Sequence, residues 1–84
     1  MRVLVTGANG LVGVNVIREL LKSGIAVTGF VRPSADLKGL QDVPCQLFRG
    51  DILSYQDVHN ALAGCDAVIH AASTTSVLPM DFAL

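Results

Sequence analysis

Four short segments along the chain have the composition of strands. Residues 2–6 (RVLVT) and 26–31 (AVTGFV) are runs of mainly apolar residues, and residues 45–49 and 67–70 (AVIH) are shorter candidates. A continuous apolar run is typical of a parallel strand covered on both faces, because a strand with one solvated face alternates apolar and polar residues. Pro33 ends the second segment, since proline cannot donate to a strand ladder. The pattern therefore predicts four strands of a parallel sheet.

Helical periodicity follows the first strand. In residues 11–23, apolar side chains recur at three- and four-residue steps, and Gly24 follows at the position of a left-handed helix cap. A second helix is predicted for residues 54–62, because Ser54 with Asp57 three positions later resembles a capping box. Each helix is expected to connect two consecutive strands.

The remaining segments carry weaker signals. Residues 36–40 are predicted to form at most one helical turn, Gly64 can close the second helix, and residues 73–84 have no clear structural pattern. The order β-α-β-(short α)-β-α-β predicts right-handed crossovers and a parallel sheet covered by helices on both faces.

Composition and charge limit the chain to one small domain. Its 84 residues, 51% of them hydrophobic, can bury one modest core, so we predict a single domain over residues 1–84. A formal charge of −1 with 15% charged residues argues against binding nucleic acid or an anionic membrane surface. No apolar run approaches the roughly 20 residues that cross a bilayer.

The cysteines and histidines indicate neither disulfides nor a metal site. Cys45 and Cys65 form no CxxC pair and no secretory leader precedes the first strand, so both are expected to be reduced thiols in a cytoplasmic protein. With His59 and His70 there are four candidate ligands, but no two of them share a zinc-like short spacing.

The strongest chemical signal is the glycine-rich segment VTGANGLVG, residues 5–13, between the first strand and the first helix. Gly7 permits a tight turn there, and Gly10 lacks the Cβ that would meet a pyrophosphate. Gly13 lies one helical turn further, where a missing side chain lets the helix pack against the first strand. Asn9 suits a left-handed turn position better than most residues.

Helix geometry explains why such a segment suits a phosphate. The first amides of the helix, those of Leu11 and Val12, have no internal partners, and the helix dipole favours an anion there. The spacing G-x-x-G-x-x-G departs by one residue from the common G-x-G-x-x-G dinucleotide fingerprint, and a glycine-rich turn without a ligand is the alternative. The position between a predicted strand and a predicted helix favours a dinucleotide.

These motifs resemble those of the short-chain dehydrogenase/reductase superfamily, particularly its extended branch of epimerases, dehydratases and dihydroflavonol-reductase-like enzymes. Residues 6–13 (TGANGLVG) are similar to its TGxxGxxG motif, residues 50–52 (GDI) to the step after its third strand, and residues 70–72 (HAA) to the H-x-A motif that ends its fourth strand. Residues 79–82 (PMDF) show a weaker similarity to dihydroflavonol-reductase relatives. The resemblance covers residues 1 to about 75.

The resemblance implies an α/β architecture, a partial Rossmann fold whose parallel sheet has about four strands in the order 3-2-1-4 and is flanked by helices. It implies that Asp51 faces the adenine ring and that Ile52 belongs to the same cofactor-binding step, although Asp51 is also a typical turn residue after glycine. It further implies that the backbone of Ala71 and Ala72 lines the path to the nicotinamide ribose.

The end of the second strand bears on the choice of cofactor. In NAD-selective proteins an acidic residue about 20 residues past the glycine loop binds the ribose 2′-hydroxyl, and here Val31 holds that position. Arg32 follows and can pair with a 2′-phosphate, so NADP is favoured and NAD is the second choice. Lys38 is a candidate second cation and Asp36 a candidate ribose partner, while a solvent-facing Arg32 is the alternative.

Catalysis in the resembled family uses a tyrosine followed four residues later by a lysine. Tyr55 is the single tyrosine of this chain, and His59 stands at the fourth position after it. We therefore predict no catalytic residue and interpret the chain as the amino-terminal piece of a longer reductase or epimerase. Truncation would leave the fourth strand with an exposed apolar edge that favours self-association. A non-catalytic NADP-sensing module and a structural domain without nucleotide are the alternatives.

Overall fold

A sheet with helices on both faces forms the body of the molecule. The computed structural model describes residues 1–71 in full and the backbone of residues 76–79. Its elements, in chain order, are β1 (Arg2–Thr6), α1 (Leu11–Lys22), β2 (Ala26–Val31), a 3-10 turn (Lys38–Leu40), β3 (Gln46–Arg49), α2 (Tyr55–Ala61), β4 (Ala67–His70) and β5 (Ser76–Pro79). The four predicted strands and both predicted helices are confirmed, each bound lying within one residue of the prediction.

Strand pairing confirms the predicted order of the parallel strands, β3-β2-β1-β4. Thr6, the last residue of β1, is level with Phe30 on β2 and with His70 on β4. The chain leaves β1 toward β2 on one side and returns to β4 on the other, so the order reverses at β1. Ligands of open α/β sheets bind beyond the carboxyl ends of the strands at such a switch point.

The prediction that β4 would present an exposed edge is wrong. β5 pairs with β4 in the antiparallel sense, from Pro79 opposite Ala67 to Ser76 opposite His70. Because β5 pairs with the outer backbone groups of β4, this edge is covered within the chain itself. The sequence pattern missed β5 because it is a four-residue segment that ends in proline.

The core has two layers, one on each face of the sheet, because side chains alternate between faces along a strand. On one face α1 packs Ile17 against a layer that contains Val3, Val5, Val27, Val31 and Ile69. On the other face the end of α2, with Ala61 and Leu62, packs against Leu4, Phe30 and Val68 of the sheet. β1 is thus buried on both sides, as its apolar run predicts, and its carboxyl end lies at the centre of the molecule.

Both helices are short, and their ends are set by local bonds. Gly24 and Gly64 follow the helices with φ angles of 77° and 78°, the left-handed conformation expected of helix-ending glycines. Ser54 caps α2, since its Oγ accepts the backbone N–H of Asp57 at 3.2 Å. Within residues 1–71 and 76–79, no helix has the length and apolarity needed to span a membrane.

Candidate functional site

The turn after β1 has a backbone conformation that glycine adopts readily. Gly7 has a φ of 62°, and the N–H of Gly10 donates to the Gly7 carbonyl oxygen at 3.0 Å, so the predicted tight turn is confirmed. Gly13 lies directly over this turn. A Cβ added to Gly13 would overlap the Gly7 carbonyl oxygen and lie 2.9 Å from the Cα of Ala8. The missing side chain at Gly13 therefore allows α1 to begin close to the end of β1.

Gly10 differs from Gly13, because its protein surroundings leave room for a side chain. Its φ of −80° is one that any residue adopts, and an added Cβ would lie 3.4 Å from the Gly7 carbonyl oxygen, an ordinary contact. Gly10 is exposed and borders an open cleft. The missing side chain at Gly10 therefore lets a group in the cleft come close to the backbone.

The first turn of α1 supplies backbone donors at the same place. The first bond along the helix runs from the N–H of Val14 to the carbonyl oxygen of Gly10 at 2.9 Å, and the preceding three amides donate to no acceptor in the described part of the chain. These are the amides of Leu11, Val12 and Gly13. No described side chain forms a capping bond at this end and no acidic residue lies in the first turn, so the helix dipole leaves partial positive charge there. Such an end suits a phosphate group.

A cleft of about 380 Å³ opens at this turn, beyond the carboxyl ends of β1 and β2. It is lined by Thr6, Gly7, Asn9, Gly10, Phe30, Val31, Arg32, Ile52 and Ala71. Six of these are predicted cofactor-binding residues, namely Gly7, Asn9, Gly10, Arg32, Ile52 and Ala71. The structure therefore brings together residues from three separate motifs of the sequence.

Besides Val31, which the sequence places only at the position of the NAD-selective acid, two lining residues, Thr6 and Phe30, were not among the predicted site residues. Both are almost fully buried, with 4% and 3% of their surface exposed, and the apolar pattern assigns them to the core. Both lie at the carboxyl ends of their strands, next to the switch point of the sheet. The rule that ligands bind beyond such strand ends is the signal that identifies them.

Not every predicted residue lines the cleft with its side chain. Leu11 and Val12 do not, and Leu11 is 82% exposed, so only their backbone amides remain candidates for ligand contact. Asp51 lies beside Ile52 but engages in a local turn, where its Oδ1 accepts the N–H of Leu53 at 2.9 Å. Ala72 lies outside the described residues, as do positions 80–82 of the fourth motif.

Asn9 lies at the cleft, but its predicted left-handed conformation is wrong, since no described residue other than glycine has a positive φ. Its Nδ2 instead donates to the carbonyl oxygen of Asp36 at 3.3 Å. This bond joins the glycine turn to the segment that follows β2. The Oδ1 of Asp36 accepts the N–H of Lys38 at 3.0 Å, and neither residue lines the cleft.

Arg32 is the first residue after β2, and its exposed side chain borders the cleft. The backbone beside it is held by Arg49, whose Nη1 donates to the carbonyl oxygen of Pro33 at 2.8 Å. Val31, at the position of the NAD-selective acid, is 2% exposed and packs in the core. Among the described residues, no carboxylate lines the cleft. Arg32 is therefore the one charged side chain among the described residues that line the cleft.

Tyr55 lies apart from these groups. Its ring stacks on that of His59, with ring centroids 5.9 Å apart, and neither residue lines the cleft.

The strand order and the glycine turn together define a Rossmann-type nucleotide-binding domain.

Comparison with known proteins gives the family. Residues 7–81 match the family model described as NAD(P)H-binding, and the chain belongs to this family. A dihydroflavonol 4-reductase of Zea mays is 36% identical over 88 residues, a match that covers 95% of this chain and 23% of that protein.

Solved structures agree with this result. A nucleoside-diphosphate-sugar epimerase from Pseudomonas aeruginosa superposes with a TM-score of 0.78 at 27% identity, covering 84% of this chain and 24% of that one. A short-chain dehydrogenase/reductase superfamily protein from Agrobacterium tumefaciens with bound NAD gives a TM-score of 0.68 at 32% identity, covering 96% and 23%.

The chain is thus the NAD(P)-binding portion typical of extended short-chain reductases and epimerases, and it spans about a quarter of the length of these relatives. Neither a sensing module without catalysis nor a structural domain without nucleotide is favoured by these matches. The family establishes NAD(P) as the class of cofactor.

Proposed function

We propose that this chain binds NADP in preference to NAD and that it serves as the cofactor-binding portion of an NAD(P)H-dependent reductase or sugar-nucleotide epimerase. The observation that carries the proposal is the position of Arg32, which borders the same cleft as Gly7 and Gly10. The same cleft thus offers a proposed site for the pyrophosphate, at the glycine turn, and a separate cation, Arg32.

The residues of the glycine turn fit the pyrophosphate of a dinucleotide. Gly10 leaves open the space that a side chain would fill, where an added Cβ would make only an ordinary contact with the Gly7 carbonyl oxygen among the described residues. The amides of Leu11, Val12 and Gly13 supply donors, and the start of α1 supplies partial positive charge. This part of the site serves NAD and NADP equally.

Arg32 and Val31 favour the phosphorylated cofactor. A guanidinium can donate two parallel hydrogen bonds to the 2′-phosphate of NADP, whereas the 2′-hydroxyl of NAD offers no charge to pair with. Val31 is buried and its side chain is apolar, so this side chain cannot accept a hydrogen bond from that hydroxyl. The carboxylate of Asp36, the other candidate ribose partner, accepts the N–H of Lys38.

The remaining predicted residues are assigned by their place along the cleft and by the family resemblance. Ile52 borders the cleft after β3 and is proposed to contact the adenine, with Asp51 beside it. Ala71 borders the cleft after β4 and is proposed, with Ala72, to line the path to the nicotinamide ribose. Lys38 remains a proposed second cation.

The activity of the complete protein is also a proposal. The reductase and epimerase relatives support it, and the cofactor when bound would supply hydride chemistry. This chain would bind and orient that cofactor without transferring hydride, because Tyr55 lacks a lysine at the fourth following position. We also propose a cytoplasmic location, because Cys45 and Cys65 are free thiols.

Titration of the chain with NADPH and NADH, by calorimetry and by nicotinamide fluorescence, tests the proposal. We expect NADPH to bind about 10- to 100-fold more tightly, as a charge-assisted bond contributes about 1.5–3 kcal/mol. Arg32→Ala should bring the ratio close to one. Arg18→Ala is the matched control, because Arg18 is an exposed arginine paired with Asp42 and does not line the cleft.

Equal affinity for both cofactors, or a ratio that survives Arg32→Ala, would reject the NADP assignment. Absence of saturable binding by either cofactor would reject the nucleotide site as a whole.

A further inference from the structure

The turn that begins at Arg32 is held by the end of β3. Arg49, the last residue of β3, is level with Val31, the last residue of β2. Three consecutive carbonyl oxygens at this place accept hydrogen bonds: that of Val31 from the N–H of Gly50 at 2.9 Å, that of Arg32 from the N–H of Ala35 at 3.0 Å, and that of Pro33 from Nη1 of Arg49 at 2.8 Å. Two of the three donors therefore belong to the end of β3.

The sequence and the bonds limit the shape of this turn. Pro33 has a fixed φ and is favoured at the second position of a four-residue turn, here residues 32–35. Arg32 precedes the proline, which disfavours the helical conformation for it. The peptide group between Pro33 and Ser34 is the part that differs between the common turn types, because its carbonyl oxygen points to opposite sides in them. The Arg49 bond holds that oxygen on one side.

Arg49 acts on the turn from outside the cleft. Its side chain is exposed, and it is not among the described residues that line the cleft, whereas Arg32 is. Of the three bonds, only the one to Pro33 comes from a side chain, so a substitution can remove it and leave both backbone bonds in place. Its donor is charged, which makes it stronger than a bond between neutral groups.

We propose that Arg49 is a positioning residue for the choice of cofactor, because it holds the turn after β2 so that the Arg32 guanidinium stays at the cleft. This proposal rests on the proposed function, in which Arg32 pairs with the 2′-phosphate of NADP. A turn that is already held loses less conformational freedom when the cofactor binds. Arg49 therefore strengthens the binding of NADPH, which carries the 2′-phosphate, and leaves the binding of NADH unchanged.

The test measures NADPH and NADH affinity, by calorimetry and nicotinamide fluorescence, in variants of Arg49. Arg49→Met removes the donor and keeps an unbranched side chain, and we expect it to weaken NADPH binding about three- to tenfold, the effect of losing one hydrogen bond, with NADH binding unchanged. Arg49→Lys keeps a charged donor and should bind NADPH more tightly than Arg49→Met does. Arg49→Thr, which suits a strand, replaces Arg49→Met should the latter fold poorly.

The matched control is Arg18→Met. It also removes one positive charge from an exposed arginine, but Arg18 pairs with Asp42 and does not line the cleft. Both affinities should stay unchanged in this variant. An equal loss of NADPH affinity in Arg18→Met and Arg49→Met would assign the effect to net charge and would overturn the proposal.

The Arg32→Ala background separates positioning from direct contact. If Arg49 acts through Arg32, Arg49→Met should weaken NADPH binding no further in a chain that already carries Arg32→Ala. A loss of the same size in that background would mean that Arg49 itself contacts the phosphate, and it would overturn the proposal. So would an unchanged ratio of NADPH to NADH affinity in folded Arg49→Met. Failure of the proposed function shows separately, because the unchanged chain would then have no preference for NADPH.

Discussion

Gly13 and the carbonyl oxygen of Gly7 meet with no space for a side chain between them. We therefore predict that Gly13→Ala destabilises the fold, because the added methyl group would push α1 away from the turn after β1. The expected loss is about 1–3 kcal/mol in the free energy of unfolding, the usual effect of overpacking. Urea denaturation followed by circular dichroism measures it. An unchanged midpoint and slope would show that α1 can move at no cost.

Gly10 gives the opposite expectation in the same turn. Gly10→Val should leave the far-ultraviolet spectrum largely unchanged, because the surrounding protein makes only an ordinary contact with an added Cβ. The same variant should lose NADPH binding at least about 100-fold, because its side chain would enter the cleft where the pyrophosphate is proposed to lie. Normal binding by Gly10→Val would show that the phosphate lies elsewhere.

Gly10 and Gly13 show which features of the site could be predicted from the sequence. Their spacing predicted the turn and its place between strand and helix, because strand, turn and helix are contiguous in the chain and leave local signals. Asn9 was assigned the wrong backbone conformation, because its bond is to Asp36, 27 positions away, and local preference does not show such a partner. The sequence could place Arg32 at the end of β2, whereas only the folded sheet shows that it shares a cleft with Gly10.

The residues that the sequence left out follow the same logic. Thr6 and Phe30 belong to strands whose composition predicts cover on both faces, and both residues are indeed buried. Their second role, lining the cleft, depends on strand order, which no local pattern encodes. β5 was missed because its pairing with β4 is set by the sheet edge that β4 offers and not by a periodic pattern of its own.

Ser54 should contribute measurably to stability through its cap on α2. Ser54→Ala removes the oxygen that accepts the N–H of Asp57, and the expected loss is about 1 kcal/mol in the free energy of unfolding. Ser23→Ala is a suitable control, because Ser23 ends α1 through its backbone N–H, and no side-chain bond from it occurs among the described residues. Equal losses for the two variants would argue that the cap itself contributes nothing.

The two thiols should make stability fall at alkaline pH. Burial raises the pKa of Cys45 above its ordinary value of 9.0 and does the same for Cys65, where the Thr28 bond and the Arg2 charge oppose the effect. The folded chain therefore holds these protons more tightly than the unfolded chain. The resulting stabilisation is fully present below pH 9.0 and is lost as the pH rises through the folded-state values.

Unfolding free energies of the unchanged chain and of a Cys45→Ala/Cys65→Ala variant, measured between pH 8 and pH 10.5, test this linkage. Comparison within the pair cancels the contributions of groups that the two chains share, so the unchanged chain should lose more stability than the variant as the pH rises. Iodoacetamide should also modify both thiols more slowly at neutral pH than it modifies a free cysteine, because the thiolate is the reactive form. If the unfolding free energies of the two chains change in parallel with pH, or if the thiols react as fast as free cysteine, then burial does not raise their pKa.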